Sequence, residues 1–143
     1  MIDENLQNKI KQFKSEILPL CVGAETSKDP VRWSSDNPLA GHCAIVSLFL
    51  HNQIGADIVR CTPVLPGGKE DSHYLNKVGD TVLDLTGEQY GFHEMGGDTV
   101  FFRNFQSRGP EYLLANEDTK RRYEAFEQKA VNTMQAKKFS FAA

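Results

Sequence analysis

The stretch SHYLNKV (72–78), Gly79-Asp80, TVLDLT (81–86) decides how this chain folds. Two β-prone runs meet at a two-residue connection that begins with glycine, the composition of a hairpin closed by a type II′ turn. With the loop at 79–80, Val78 lies opposite Thr81, and the pairing runs back through Lys77 with Val82 and Leu75 with Asp84 to His73 with Thr86. One face of the hairpin (72–86) then carries His73, Leu75, Lys77, Val82, Asp84 and Thr86. His73 and Asp84 are diagonal neighbours, about 7–8 Å apart at the backbone, a gap that two polar side chains can close. A carboxylate between Leu83 and Leu85 needs a partner. His73 is the expected one, with Lys77 the competitor on the same face.

Upstream, GHCAIVSLFLHNQI (41–54) is apolar on nearly every side and is followed by Gly55, a good left-handed terminator. A helix that is apolar all round belongs in the middle of a core. Cys43 stands near its start, where backbone N–H groups and the helix dipole favour an anion and lower a thiol's pKa. If this helix packs on the His73 face of the hairpin, thiol, imidazole and carboxylate form a relay. The thiolate would be the nucleophile, the imidazole its proton partner, and the carboxylate the group that fixes the ring's tautomer.

Further out, Leu6, Ile10, Phe13 and Ile17 mark an amphipathic helix over 3–18, ended by Pro19. Residues 21–40 read as a long irregular connection, and ADIVRCTPV (56–64) as a strand stopped by Pro63 and Pro66-Gly67-Gly68. Residues 87–109 read as Gly- and Phe-rich loops around a short strand near 99–103; the part from 91 to 105 is either a flap or a segment packed by its own aromatics. Pro110 suits the first turn of PEYLLAN. A last helix runs over 117–137, with Tyr123, Phe126, Ala130 and Met134 on one stripe. The expected class is α+β, a small antiparallel sheet packed by helices in a single domain spanning 1–143.

Composition narrows the function. The chain has 143 residues, 40% hydrophobic, with 16 basic against 19 acidic side chains and a net charge of −3. That balance argues against nucleic acid or an anionic membrane as the main partner. No run of apolar residues is long enough for a transmembrane helix, and the opening MIDENLQNKI is too polar for a secretory signal. Cys21, Cys43 and Cys61 are odd in number and lack CxxC spacing, which suits a reducing cytoplasm. No metal is expected: His42, Cys43, Cys61, His73 and His93 lack ligand-knuckle spacing, and His93-Glu94 does not open an HExxH motif. No cofactor is expected either.

The segments NPLAGHCA (37–44), DSHYLN (71–76), LDLT (83–86) and YLLANEDTKRRYEAF (112–126), in this order, resemble the YunG family of bacterial proteins over about Trp33 to Val131. The resemblance implies a small cytosolic protein with a papain-like fold and cysteine/histidine site. Onto this sequence it carries Cys43, His73 and Asp84, and also Asn37 and Asn76. Where the family pattern usually has Gln before the cysteine, this chain has His42.

Around this relay, Asn37 is a side-chain donor to a developing oxyanion or simply a turn residue before Pro38. His42 lies on the helix surface or supplies a second donor. Trp33 and Tyr74 line a substrate cleft or belong to the core. Asn76 falls on the opposite face from His73 and reads as structural. Lys120-Arg121-Arg122 reads as a solvated face, and Cys21 and Cys61 as buried bystanders. The expected function is a thiol-dependent hydrolase or acyltransferase acting on an amide or peptide-type bond of a small molecule, peptide or protein. The alternatives are a non-catalytic binding module on the same fold and a protein deamidase-type effector.

Overall fold

The computed structural model describes residues 2–31, 33–65, 67–87 and 101–142. Strands β1 (Asp57–Val64), β2 (His73–Val78), β3 (Thr81–Leu83) and β4 (Phe101–Arg108) lie side by side in the order β3-β2-β1-β4, each pair antiparallel. Helices α1 (Glu4–Gln12), α2 (Cys43–Ile54), α3 (Pro110–Leu114) and α4 (Glu117–Ala136) complete an α+β architecture. No described helix is long and apolar enough to cross a membrane.

The hairpin register is set by its turn. Val78 faces Thr81, Lys77 faces Val82 and Asn76 faces Leu83. Gly79 has φ 59°, and Asp80 is not among the described residues with positive φ, the pattern of a type II′ rather than a type I′ turn. The second strand was expected to reach Thr86, but it leaves the ladder after Leu83. From there the chain turns inward and buries Leu85 and Thr86.

Helix α2 is the centre of the molecule. Every residue from Ile45 to Leu50 is buried, with Phe49 stacked on Phe13 at 5.6 Å and edge-on to Phe126 at 5.6 Å. Its strand-side neighbours in the core are Ile58 and Tyr74, and Asn76 Nδ2 donates to the Ser47 carbonyl at 3.0 Å. Those residues lie on one face of β1 and β2. Val59, Cys61 and Leu75 form a separate cluster with Phe102 on the other. Helix α2 therefore covers the face opposite His73, not the His73 face. The reason is apolar area: Ile58, Leu83 and Leu85 turn to the helix side and join the main core.

Two segments differ from their sequence reading, and one near them agrees. The helix expected over 3–18 is α-helical only to Gln12, then opens into a π turn (Phe13–Ile17) and tightens into a 3-10 turn (Leu18–Leu20) that holds Pro19. The wider turn lets Phe13, Ile17 and Leu18 all bury. Strand β1 (Asp57–Val64) matches the strand read over 56–64, with Pro63 inside it. Strand β4 extends to Arg108, well beyond the short strand expected near 99–103; its register against β1 shifts between Arg60 and Thr62, where Asn104 takes φ 59°. This is a bulge with an αL residue, a position that suits asparagine. Of the expected loop and flap, residues 88–100 lie outside the described part.

The connection 21–40 is tied down by its polar groups. Ser27 Oγ donates to the Ala40 carbonyl at 2.6 Å, and Lys28 N–H to the Gly41 carbonyl at 3.0 Å. Gly41 has φ 78°, and a Cβ there would lie 2.7 Å from the Lys28 nitrogen and 2.9 Å from that of Asp29. Gly41→Ala is therefore expected to cost at least about 1–2 kcal/mol and to displace the chain entering α2. Urea denaturation, read together with the Cys43 alkylation rate, checks both effects.

Candidate active site

Cys43 is the first residue of α2, and the left-handed Gly41 followed by His42 at the N-cap turns the chain into it. An N-terminal residue of a helix has backbone N–H groups without intrahelical partners and feels the positive end of the dipole. The thiol is half-buried. It interacts electrostatically with His73 and with the backbone of Tyr74. His73 is the first residue of β2 and fully buried. Its Nε2 donates to Asp84 at 2.9 Å (Oδ1) and 3.0 Å (Oδ2), so Nδ1 is the ring nitrogen not engaged by the carboxylate. The ring lies 5.3 Å from that of Phe102. Asp84 is one residue beyond the end of β3, where the hairpin register carries it to the His73 face. Lys77, its competitor for that carboxylate, is exposed.

The opposite-face packing of α2 does not separate the pair, because contact is made at the end of the strand. His73 begins β2, and the sulfur reaches it beside the Tyr74 backbone. Burial works against charge on both groups. For Cys43 it pushes the thiol up, but His73, the Tyr74 backbone and the Lys28 charge outweigh it and leave the thiol below its ordinary range. For His73 burial pushes down, while the hydrogen bond to Asp84 and the interaction with Cys43 win and raise it to about 9. The arrangement favours a thiolate–imidazolium pair braced by a carboxylate.

The other residues singled out by the sequence fall in different places. Tyr74 joins Cys43 in lining a cleft of about 340 Å³. Trp33 and Asn37 are not among that cleft's residues. The Trp33 indole donates to the Pro38 carbonyl at 2.8 Å, and Asn37 sits in a turn where its N–H donates to Ser34. Asn76 is buried and spends its amide on the Ser47 and Asp57 carbonyls.

His42 is neither on the helix surface nor a donor toward an oxyanion. It is fully buried, with Nδ1 donating to the Ala40 carbonyl at 3.0 Å and Nε2 accepting from the Thr26 hydroxyl at 2.7 Å. Burial, helped by the Arg122 charge, lowers it to about 4, so the ring is neutral at ordinary pH. Nor is Lys120-Arg121-Arg122 wholly a solvated face. Arg122 is buried, held by Asp118 at 2.9 Å, and reaches the Thr26 and Gly41 carbonyls. Sequence reasoning missed this, although Asp118 and Arg122 at i,i+4 spacing were the available signal. Lys28, Arg60 and Ser72 in the cleft were also missed.

Among the described residues no group of three or more His, Cys, Asp or Glu is placed to hold a metal ion. The family described as "YunG protein" matches residues 10–135. The chain belongs to the YunG family. In this YunG-family chain the matched region takes in Cys43, His73 and Asp84 together with the cleft. Searches of curated proteins and of solved structures found no match.

Proposed function

We propose that this YunG-family protein is a thiol-dependent acyl-transfer enzyme with a papain-like site, acting on an amide or peptide-type bond in the cytoplasm. The observation that carries the reading is the buried His73 imidazole 2.9 Å from the Asp84 carboxylate and in electrostatic interaction with Cys43 at the start of α2. The Cys43 thiolate attacks the carbonyl carbon, and the developing oxyanion is met by backbone N–H groups of the first turn of α2. The His73 imidazolium gives its proton to the departing amine, and an acyl group remains on the sulfur. Water or a second amine then attacks the thioester while His73 takes up its proton, which restores thiolate and imidazolium. Asp84 holds the ring in the tautomer and orientation both steps need. Three free cysteines support a reducing compartment.

The pH dependence follows from the two shifts. The acid limb is set by Cys43, whose thiolate survives below the ordinary thiol range. The alkaline limb lies near about 9, where His73 loses the proton that the leaving group requires. p-Nitrophenyl acetate is the simplest test of acyl-enzyme formation. An acetyl group found on Cys43 by mass spectrometry, with a p-nitrophenol burst absent from Cys43→Ser, is the expected result. Wild-type protein without acetylation at Cys43 would mean that the fold serves as a binding module instead.

A further inference from the structure

The cleft beside Cys43 has a charge opposite to that of the whole molecule. Acidic side chains outnumber basic ones 19 to 16 in the chain. Yet the described residues lining this cleft include Lys28, Arg60 and Arg122 and no carboxylate. The charge of Arg122 is already met by Asp118. No ion pair to a carboxylate is found for Arg60 or Lys28 among the described residues. Arg60 lies directly across from Tyr74 in the β1–β2 ladder, so both side chains project to the cleft face. Its Nε donates to Ser72 Oγ at 3.1 Å, which fixes the plane of the guanidinium and leaves its terminal nitrogens for another acceptor. A fork held this way matches the two oxygens of a carboxylate or phosphate. The aromatic rings of Tyr74 and Tyr112 supply apolar wall, and about 340 Å³ is room for a small group.

We propose that the amide substrate carries an anion, a carboxylate or a phosphate, which Arg60 and Lys28 hold while Cys43 attacks the neighbouring carbonyl. This rests on the acyl-transfer reading above and adds the substrate class to it. Cations beside the scissile bond select by charge, because a neutral amide leaves Arg60 without its acceptor.

Iodoacetate and iodoacetamide form a matched pair of probes, alike in chemistry and different in charge. The rate of each at Cys43 is measured across pH, and the ratio of their plateau rates is compared between variants. The ratio is expected to fall at least about fivefold in Arg60→Gln and about twofold in the exposed Lys28→Gln. Lys137→Gln, at the far end of α4, should leave it unchanged and so exclude an effect of net charge. Inorganic phosphate and acetate, added at equal ionic strength, then decide the source: whichever slows iodoacetate labelling of the wild type but not of Arg60→Gln names the anion. An unchanged ratio in both variants, with Cys43 still fast toward iodoacetamide, overturns the anion proposal and leaves the acyl-transfer reading standing. Slow iodoacetamide labelling of the wild-type Cys43 strikes the acyl-transfer reading itself, and the proposal falls with it.

Discussion

Iodoacetamide at about pH 6–7 modifies Cys43 while Cys21 and Cys61 remain thiols over the same interval. The three sulfurs differ in environment rather than chemistry. Cys61 is buried opposite His73 in the β1–β2 ladder, and burial, with the charges of Asp84 and Cys43 adding to it, pushes it up to about 12. Cys21 is raised by burial as well, and its Sγ donates to the Ile17 carbonyl at 3.2 Å. Cys43 alone is lowered, because an imidazolium and the Tyr74 backbone outweigh its burial. His73→Ala removes the largest of the lowering causes. The thiolate fraction below the pKa falls tenfold per unit, so labelling at pH 6 should drop at least about tenfold in that variant. Asp84→Asn should produce a smaller loss in the same direction, since it removes the charge that helps to hold His73 protonated. Peptide mass spectrometry reads all three sites in one sample. Labelling of Cys43 that follows an ordinary thiol profile and ignores His73→Ala would remove the relay.

Acid should unfold this protein earlier than its carboxylates alone require, and His42 is the reason. Its pKa is about 4 in the folded chain and about 6.5 in an unfolded one. A base with a depressed folded pKa is neutral in the native state and protonates more readily when unfolded. Its stabilising contribution is therefore complete above about pH 6.5 and is lost as pH falls toward 4. The full difference corresponds to about 3 kcal/mol. Glu25 and Asp118 are also held low by their basic partners, but they are exposed and act in a lower window, through the ordinary carboxylate range. Urea titrations at a series of pH values separate the two. Wild-type stability should decline between pH 6.5 and 4.5, and His42→Gln should flatten that slope even if it is less stable at pH 7. Parallel slopes in the two proteins would show that His42 is not the titrating group. His73 has the opposite sign. Its raised value gives a contribution complete below about pH 6.5 and lost as pH rises through about 9.

Both experiments probe the connection between residues 23 and 43. Thr26 binds His42, Ser27 binds Ala40, and Arg122 reaches the carbonyls of Thr26 and Gly41. These bonds hold the turn that delivers Cys43 to the start of α2. Protonation of His42 is expected to loosen the segment that positions the nucleophile, so loss of stability and loss of Cys43 reactivity should run together in mild acid.

What the sequence by itself determined is local. Gly79-Asp80 settles a two-residue turn, and the turn settles which residues of the hairpin share a face, so His73 and Asp84 could be paired before any packing was known. The apolar run from Ile45 to Leu50 likewise declared a helix with no solvent side, and that placed Cys43 at a buried N-terminus. Only the tertiary structure decided which face of the sheet that helix covers, since β2 is an inner strand with buried residues on both sides and its pattern points to neither. It also decided the fate of His42 and Arg122, two basic residues that local rules place in water. Their burial depends on carbonyl and hydroxyl partners up to 96 positions away in the chain. Hydrogen-bond partners at that separation leave no periodicity in the sequence, because they are chosen by the packing of α4 against the 23–42 connection and not by either segment alone.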